Sequence, residues 1–249
     1  MERRDRAVAT FLASAPLGEA GTTIDLPEEA AHHARVRRLE VGEAVRLTDG
    51  AGMRGAGTIA LLTKSRLAVQ LTEVEPAAAL SPIELLVPVG DRDRMLWLAE
   101  KCTELGIARW TPVLFHRSRS VTPRGEGEGF RAKVRARMAA ALEQSGGAWL
   151  PEVLPERPLG EALAAVGASR RLLLDAGGEP LRPPAAPEPV ALCFGPEGGL
   201  EPEEREQLLA AGWVAATLGT NTLRFETAGI AAVAVLRAAH PRPMEGSDG

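Results

Sequence analysis

Two rhythms of hydrophobic positions divide the chain. In the first, Val45 and Leu47, then Thr58 to Leu62, then Leu67, Val69 and Leu71 alternate with polar or small residues, the period-two pattern of half-buried strands. The stretches 49-DGAG-52 and 63-TKS-65 supply turns, and Val8 to Leu12 reads as a further strand. The segment 27-PEEAAHHARVRR-38 interrupts the alternation. Its proline and two acids in a first turn, with three arginines near the end, match the dipole of a short helix. Residues 1–76 are therefore expected to form a small, mostly antiparallel β domain with one helix. The stretch 76-PAAALSP-82, with a proline near each end and no periodicity, reads as a linker.

Beyond it, residues 77–249 follow a second rhythm, in which apolar runs alternate with helical spacing. That order predicts an α/β domain built on a parallel sheet. Ile83 to Val89, Trp110 to Phe115, Leu172 to Leu174, Val190 to Phe194 and Val214 to Leu218 are the expected strands. Met95, Leu98, Cys102 and Leu105 recur at helical spacing before Gly106, so 92–106 is an expected amphipathic helix. Ala132 to Gln144, Pro202 to Ala211 and Arg224 to Ala239 are the other helices, and 177-GGEPLRPPAAPEP-189 reads as a long loop. The last helix is apolar on nearly every side and is expected to be covered by the core and by a second subunit.

Charge alters this picture locally. The formal net charge of the 249 residues is -4, so nucleic acid would have to be met by patches rather than by bulk charge. Residues 31–70 carry seven Arg/Lys against three acids, and residues 109–137 carry eight against two. Arg3, Arg4 and Arg6 precede an apolar run ending in Ala13-Ser14-Ala15, but the run is mostly alanine and Glu2 and Asp5 dilute the charge. The start is expected to be a strand rather than a secretory leader. Two cysteines without a Cys-x-x-Cys pair fit a reducing cytoplasm, no stretch has the length and apolarity of a membrane span, and no metal is expected at His32 and His33 because no second ligand cluster exists.

Candidate chemistry gathers at two turns. The stretch 195-GPEGGLEPEE-204 follows an apolar strand yet lacks both the Gly-x-x-x-x-Gly-Lys-Ser/Thr and the Gly-x-Gly-x-x-Gly spacings. Its acids would repel a polyphosphate. What suits it is an adenosine-type ligand with a positive centre, held by backbone groups. A second turn, 218-LGTNTLRFETAGIA-231, also lies between a strand and a helix, with Thr222 or a residue just after it as the expected cap. Two such turns at adjacent carboxyl ends of a parallel sheet would form a ligand crevice.

The pair GPEGGL and LGTNTLRFETA resembles the signature of the SPOUT methyltransferases, specifically the RsmE-type small-subunit (16S) rRNA uracil-N3 methyltransferases. The likeness runs through 32-HHARVRRLEVGEAVRLTDG-50, 91-DRDRMLWLAEKCTELGI-107, 117-RSRS-120 and 143-EQSG-146, and so covers almost the whole chain. The chain departs from the pattern at Gly147 and Asn221, where the family usually has basic residues. The resemblance implies a PUA-like RNA-binding domain over residues 1–76 and a trefoil-knotted methyltransferase domain over 77–249. It also implies S-adenosyl-L-methionine as cofactor, small-subunit rRNA as partner, a homodimer and a cytoplasmic location. Ribose 2'-O methylation by the same fold, or an RNA-binding assembly factor without catalysis, are the alternative readings.

For the site, the resemblance implies cofactor contacts from Leu173 and Leu174 with the following Asp175 and Ala176, from Phe194, Gly195, Glu197, Gly198 and Gly199, and from Leu218, Gly219, Asn221 and Leu223. Arg224 is expected to stabilise developing negative charge or to position a phosphate, because its guanidinium offers a fixed fork of donors. Glu226 is a candidate base, with a dipole-complementing or Arg224-pairing role as its rival. RNA phosphates are expected at His33, Arg35, Arg37 and Arg38, and at Arg117, Arg119, Arg131 and Arg135. Trp97, Trp110 and Trp149 are expected in the core, with stacking on bases the alternative.

Overall fold

The computed structural model describes residues 9–120 and 124–238, with the side chains of Arg119 and Ser120 excepted. Arg3, Arg4, Arg6, Val8 and Ala239 lie outside the described residues, as does the Arg119 side chain expected to hold phosphate. The chain forms two compact units. One comprises the residues up to Leu80 together with Met138–Leu150, the other Ser81–Arg137 and the residues from Pro151 onward.

In the first unit, β1 (Thr10–Leu12), β2 (Thr23–Leu26), α1 (Glu28–Val36), β3 (Ala44–Thr48), β4 (Met53–Leu62) and β5 (Leu67–Pro76) follow in order. The strands make a curled sheet ordered β1-β3-β4-β5-β2, antiparallel except for β1 beside β3. The alternation seen in the sequence faces inward as Val45, Leu47, Ile59, Leu67, Val69 and Leu71, packed with Phe11 and with Ala30, Ala31 and Ala34 of α1. The short β2 alternates over only four residues, with Ile24 and Leu26 turned to the core, too brief a run to stand out in the sequence.

Helix α1 ends in a Schellman turn. The Leu39 amide donates to the Ala34 carbonyl and the Arg38 amide to the Arg35 carbonyl, each at 2.9 Å. The residue forced into the left-handed region is Arg38, at φ 58°, where glycine is the usual occupant because a Cβ is crowded there. Residues 138–150 join this unit by backbone bonds, Gly52 N–H to Ala148 O at 2.9 Å and Leu150 N–H to Gly50 O at 2.8 Å. Glu143 accepts from the Leu12 amide at 2.8 Å. Trp149 lies so close over Gly52 that a Cβ there would come within 2.4 Å of its ring.

The second unit contains β6 (Ile83–Pro88), α2 (Arg92–Glu104), β7 (Arg109–Leu114), a 3-10 turn (His116–Ser120) and α3 (Glu128–Ser145), whose residues from Met138 onward belong with the first unit. There follow β8 (Glu152–Val153), β9 (Arg157–Pro158), α4 (Leu159–Ala164), β10 (Arg170–Pro180), β11 (Val190–Phe194), α5 (Pro202–Ala210), β12 (Val214–Thr217) and α6 (Phe225–Ala238). Every strand pair is parallel, in the order β12-β10-β11-β6-β7-β8, with β9 also on β7. All five residues of β11 are buried, as expected for a strand covered on both faces.

Two expectations are corrected here. The strands that precede the two glycine-bearing turns, β11 and β12, are not neighbours, because β10 lies between them. The segment 177–189 is also not wholly a loop. β10 continues through Pro180 across an irregularity between Leu174 and Glu179, and Gly178 lies so close to the backbone of Ala215 and Ala216 that a Cβ would meet it at 2.4 Å. A glycine pair there looked like a strand terminator, whereas it is a site of close backbone approach.

Helix α2 starts at the N-cap Asp91, whose side chain accepts from the amides of Asp93 and Arg94. It packs through Leu98 against Gly229 of α6, where a Cβ would come within 2.8 Å. Its carboxyl end is held by Arg237, which donates to the carbonyls of Leu105, Gly106 and Ser81 at 3.2, 2.5 and 2.7 Å. Burial pushes the Arg237 guanidinium down to about 10, so it stays charged at neutral pH. Cys102 and Cys193 are fully buried free thiols, and burial pushes both up. Along α6, Gly229, Ala232, Val233 and Leu236 face inward while Ile230, Ala231, Ala234 and Val235 are only partly covered.

Replacing Arg38 by glycine removes the crowding of a left-handed residue while adding some freedom to the unfolded chain. The Arg38→Gly protein is expected to be more stable by about 0.5–1 kcal/mol. Denaturant unfolding checks this, and an unchanged or lower midpoint contradicts it.

Candidate functional site

The carboxyl ends of β11 and β12 and the irregular middle of β10 open into a cleft of about 380 Å³, within the size range of small-ligand sites. Its first wall is the turn after β11. Phe194, Gly195, Pro196, Glu197, Gly199 and Leu200 line it, and Gly199 adopts φ 75° as its amide closes on the Pro196 carbonyl at 2.8 Å. Helix α5 then begins with a reciprocal capping box between Glu201 and Glu204 and with Pro202 at its first turn. The local sequence thus ends a buried strand, turns through glycines and starts a helix within a few residues.

The second wall is the turn after β12, where Ala216, Thr217, Leu218, Gly219, Asn221, Thr222 and Leu223 face the cleft. Thr217 Oγ1 stands 3.1 Å from the Gly219 carbonyl and 3.4 Å from its amide. The middle strand supplies Leu174, Asp175 and Ala176, and the apolar floor includes Phe225 and Ala228. The helix start falls just after Thr222, within the expected span. Helix α6 begins at Phe225, and the Arg224 carbonyl accepts its first helical bond from Ala228 at 2.9 Å.

Of the residues expected at a cofactor, Leu174, Phe194, Gly195, Glu197, Gly199, Leu218, Gly219, Asn221 and Leu223 all line this cleft. Leu173 does not. Successive strand residues face opposite sides, and Leu173 is buried in the cluster holding Leu86, Ala191 and Cys193. Gly198 is not among the lining residues either; it lies beneath Arg117, whose side chain a Cβ there would meet at 3.2 Å.

Three arginines from other elements grip the acids around the cleft. Arg117 donates to the Gly198 carbonyl and to Glu201 at 3.0 and 3.3 Å, and its hydrogen bond holds the Glu201 carboxyl below the usual carboxylate range. Arg205 donates to Asp175 at 2.7 Å. This hydrogen bond, opposed by partial burial and helped by the Gly177 amide, holds Asp175 below its ordinary range too. Arg94 contacts Glu197. Arg205 and Phe225 are lining residues absent from the expected set. Arg94 was also missed, although its DRDR context next to the N-cap of α2 was a visible signal.

Arg224 is exposed at the start of α6. Glu226 is not paired with Arg224, as the local alternative supposed. Its side chain is only 7% exposed and lies 3.8 Å from Arg94. The second carboxylate oxygen of Glu226 is buried without a hydrogen-bond partner among the described residues, an arrangement proteins rarely leave unexplained.

The residues expected at RNA differ in their surroundings. Arg35, Arg37 and Arg38 are exposed around the end of α1, and His33 lies 3.9 Å from Glu143 and edge-on to Phe11. In the second unit Arg131 and Arg135 both reach Glu128, and Arg117 grips the glycine turn, so phosphate would have to displace acids there. Trp110 is fully buried in the core, whereas Trp97 and Trp149 are roughly half exposed. No group of three or more His, Cys, Asp or Glu is placed to hold a metal among the described residues, and none of their helices is long and apolar enough to cross a membrane.

Comparison with known proteins agrees with this architecture. The family described as RNA methyltransferase domain matches residues 77–237, and the RNA methyltransferase PUA domain matches residues 26–72. The chain is 27% identical over 227 residues to the ribosomal RNA small subunit methyltransferase E of Synechocystis, covering 87% of this chain and 73% of that protein. It is 28% identical over 235 residues to the protein of the same name from Mycobacterium tuberculosis, covering 84% and 82%. Among solved structures, the ribosomal RNA small subunit methyltransferase E of Neisseria gonorrhoeae bound to S-adenosyl methionine superposes with a TM-score of 0.82 at 29% identity, over 92% of this chain and 97% of that one. With a family match over most of its length and a parallel sheet whose strand ends enclose the cleft, the chain belongs to the RNA methyltransferase family, in its SPOUT fold with an accompanying PUA domain.

Proposed function

We propose that the protein methylates N3 of a uridine in small-subunit rRNA, using S-adenosylmethionine held in the cleft formed by the middle of β10 and the ends of β11 and β12. The observation that carries this reading is the cleft's make-up: backbone turns and apolar side chains form its walls, and its charged lining groups are Asp175, Glu197 and Arg205, the last already bonded to Asp175. Arg205 and Arg94 each balance one of these acids, so among the described residues the lining offers no free cation to a polyphosphate, and its backbone and apolar walls suit an adenosine-bearing ligand. The relative from Neisseria gonorrhoeae, similar over nearly its whole length, was solved with S-adenosyl methionine.

When bound, S-adenosylmethionine supplies an electrophilic methyl group on a positive sulfur. Leu174, Phe194, Leu218 and Leu223 would enclose the adenine, and the main chain of Gly195, Gly199 and Gly219 would read its edge. In the transfer, an N3–methyl bond forms as the sulfur–methyl bond breaks, the electron pair stays on sulfur, and the N3 proton leaves to an acceptor. Glu226, with one unpartnered oxygen, is the proposed acceptor. Arg224 at the start of α6 would steady the negative charge that builds on the uracil as the proton departs. Arg35, Arg37 and Arg38 would hold RNA phosphates, and N3 of a paired uridine becomes reachable only after the base is turned out of its helix.

The partly covered face of α6, with Ile230, Ala231, Ala234 and Val235, supports a homodimer. Sedimentation is expected to give twice the 26.3 kDa of one chain, and Val235→Glu is expected to shift the protein toward monomer. A wild-type chain that sediments as a monomer removes the dimer from this reading.

Calorimetry with S-adenosylmethionine, followed by mass mapping of small-subunit rRNA, tests the central proposal. A base-methylated uridine is expected; a ribose product reassigns the target, and no cofactor binding ends the case for catalysis. Arg224→Ala is expected to keep cofactor affinity while losing on the order of 100-fold in turnover, and full turnover would remove its role.

Asp175 gives a pH signature. Because its carboxyl is held below the ordinary value of about 4, its contribution is present above that value and is lost as pH falls through the lowered one. Cofactor affinity is expected to stay flat from pH 8 to about 5, and Asp175→Asn is expected to weaken it across that window. A wild-type affinity that declines steadily from pH 7 would contradict this assignment.

A further inference from the structure

Arg94 belongs to neither glycine turn, yet it reaches acids on two separate elements. Its Nη1 contacts Glu197 in the turn after β11, and its Nε lies 3.8 Å from Glu226 in the first turn of α6. The base of the side chain is fixed, because the Arg94 amide donates to Asp91 at 3.1 Å as part of the cap of α2. One guanidinium therefore links the starts of two helices to a wall of the cleft.

The physics asks for a cation in this position. Glu226 is almost wholly buried, and a carboxylate there is costly unless it is paired. Glu197 brings a second negative charge to the same cation, so without Arg94 the two acids would be left without the charge that lies between them. Arginine suits the task better than lysine because its planar fork can serve both acids at once. The pairing also leaves Glu226 with one oxygen engaged and one buried oxygen without a partner among the described residues.

We propose that Arg94 is a positioning residue for methyl transfer: through Glu197 it holds the glycine turn in its ligand-ready shape, and through Glu226 it fixes the proton acceptor relative to that turn. This rests on the proposed reading of the cleft as a site for S-adenosylmethionine and of Glu226 as the acceptor. Its consequence is a coupling between two functions that ordinary packing would leave separate. Loss of Arg94 loosens cofactor binding and, independently of occupancy, slows proton removal.

The test uses the full chain in wild-type, Arg94→Ala, Arg94→Lys, Glu197→Gln and Arg94→Ala/Glu197→Gln forms. Three quantities are measured: hydrogen exchange of the amides of residues 195 and 197–200 in the ligand-free protein, calorimetric affinity for S-adenosylmethionine and for S-adenosylhomocysteine, and turnover at saturating cofactor. Arg94→Ala is expected to speed exchange in the turn and weaken both ligands on the order of tenfold. Its kcat is expected to fall even when the cofactor saturates, and lysine is expected to restore part of each loss. The double variant is expected to lose less than the two single variants combined, because both break the same contact.

Unchanged exchange and affinity in Arg94→Ala overturn the proposal, as does full additivity in the double variant. If Arg94→Ala does not fold, Arg94→Lys and Glu197→Gln decide it by the same measurements. Failure of the wild-type protein to bind S-adenosylmethionine would instead overturn the reading of the cleft, while exchange in the ligand-free turn would still judge the link made by Arg94.

Discussion

The architecture of the second unit depends on one constraint, the parallel pairing of β10 with both β11 and β12. Parallel pairing brings the carboxyl ends of β11 and β12 and the mid-strand irregularity of β10 to one edge, and the chain leaves β11 and β12 through turns. Leu172, Leu173 and Leu174 sit in register with Leu192, Cys193 and Phe194 on one side and with Val214, Ala215 and Ala216 on the other. A one-residue slip would send Leu174 into the core and Leu173 into the cleft, exchanging their burial. The irregularity after Leu174 then frees Asp175 and Ala176 to line the opening before pairing resumes at Glu179.

The cleft edge carries several acids, and the fold answers each with an arginine from another element. Arg117 meets Glu201, Arg205 meets Asp175, and Arg94 meets Glu197 and Glu226. Exposed pairs of this kind contribute little to stability individually. Their value here is geometric, since a planar guanidinium with several donors constrains direction as well as distance. Turns that read a ligand with backbone atoms need such bracing, because the glycines that permit close approach also permit movement.

The local elements were largely legible in the sequence, while the relations between them were not. The apolar run at Val190 to Phe194, the helical spacing of Met95, Leu98 and Cys102, and the alternation along β5 each encode burial within a few residues. The placement of β10 between β11 and β12 depends on pairing between distant segments and leaves no periodic trace. The recruitment of residues 138–150 to the first unit was hidden for the same reason, since its bonds link Gly50 and Gly52 with residues almost a hundred positions away. At the site, glycine spacing pointed to the lining backbone. It could not distinguish Leu173 from Leu174 without knowing which face the cleft occupies, and it gave no sign that Glu226 would find its partner on α2.

The two cysteines carry a practical consequence of the packing described above. Cys102 and Cys193 are fully enclosed, and the apolar surroundings of each keep the sulfur protonated. Alkylating reagents and mild oxidants attack the thiolate of accessible sulfur, so the native fold shields both positions from labelling. A single cysteine engineered onto the surface can therefore take a fluorophore or spin label in the presence of the two natural ones, and any reaction at Cys102 or Cys193 becomes a clock for transient opening of the core.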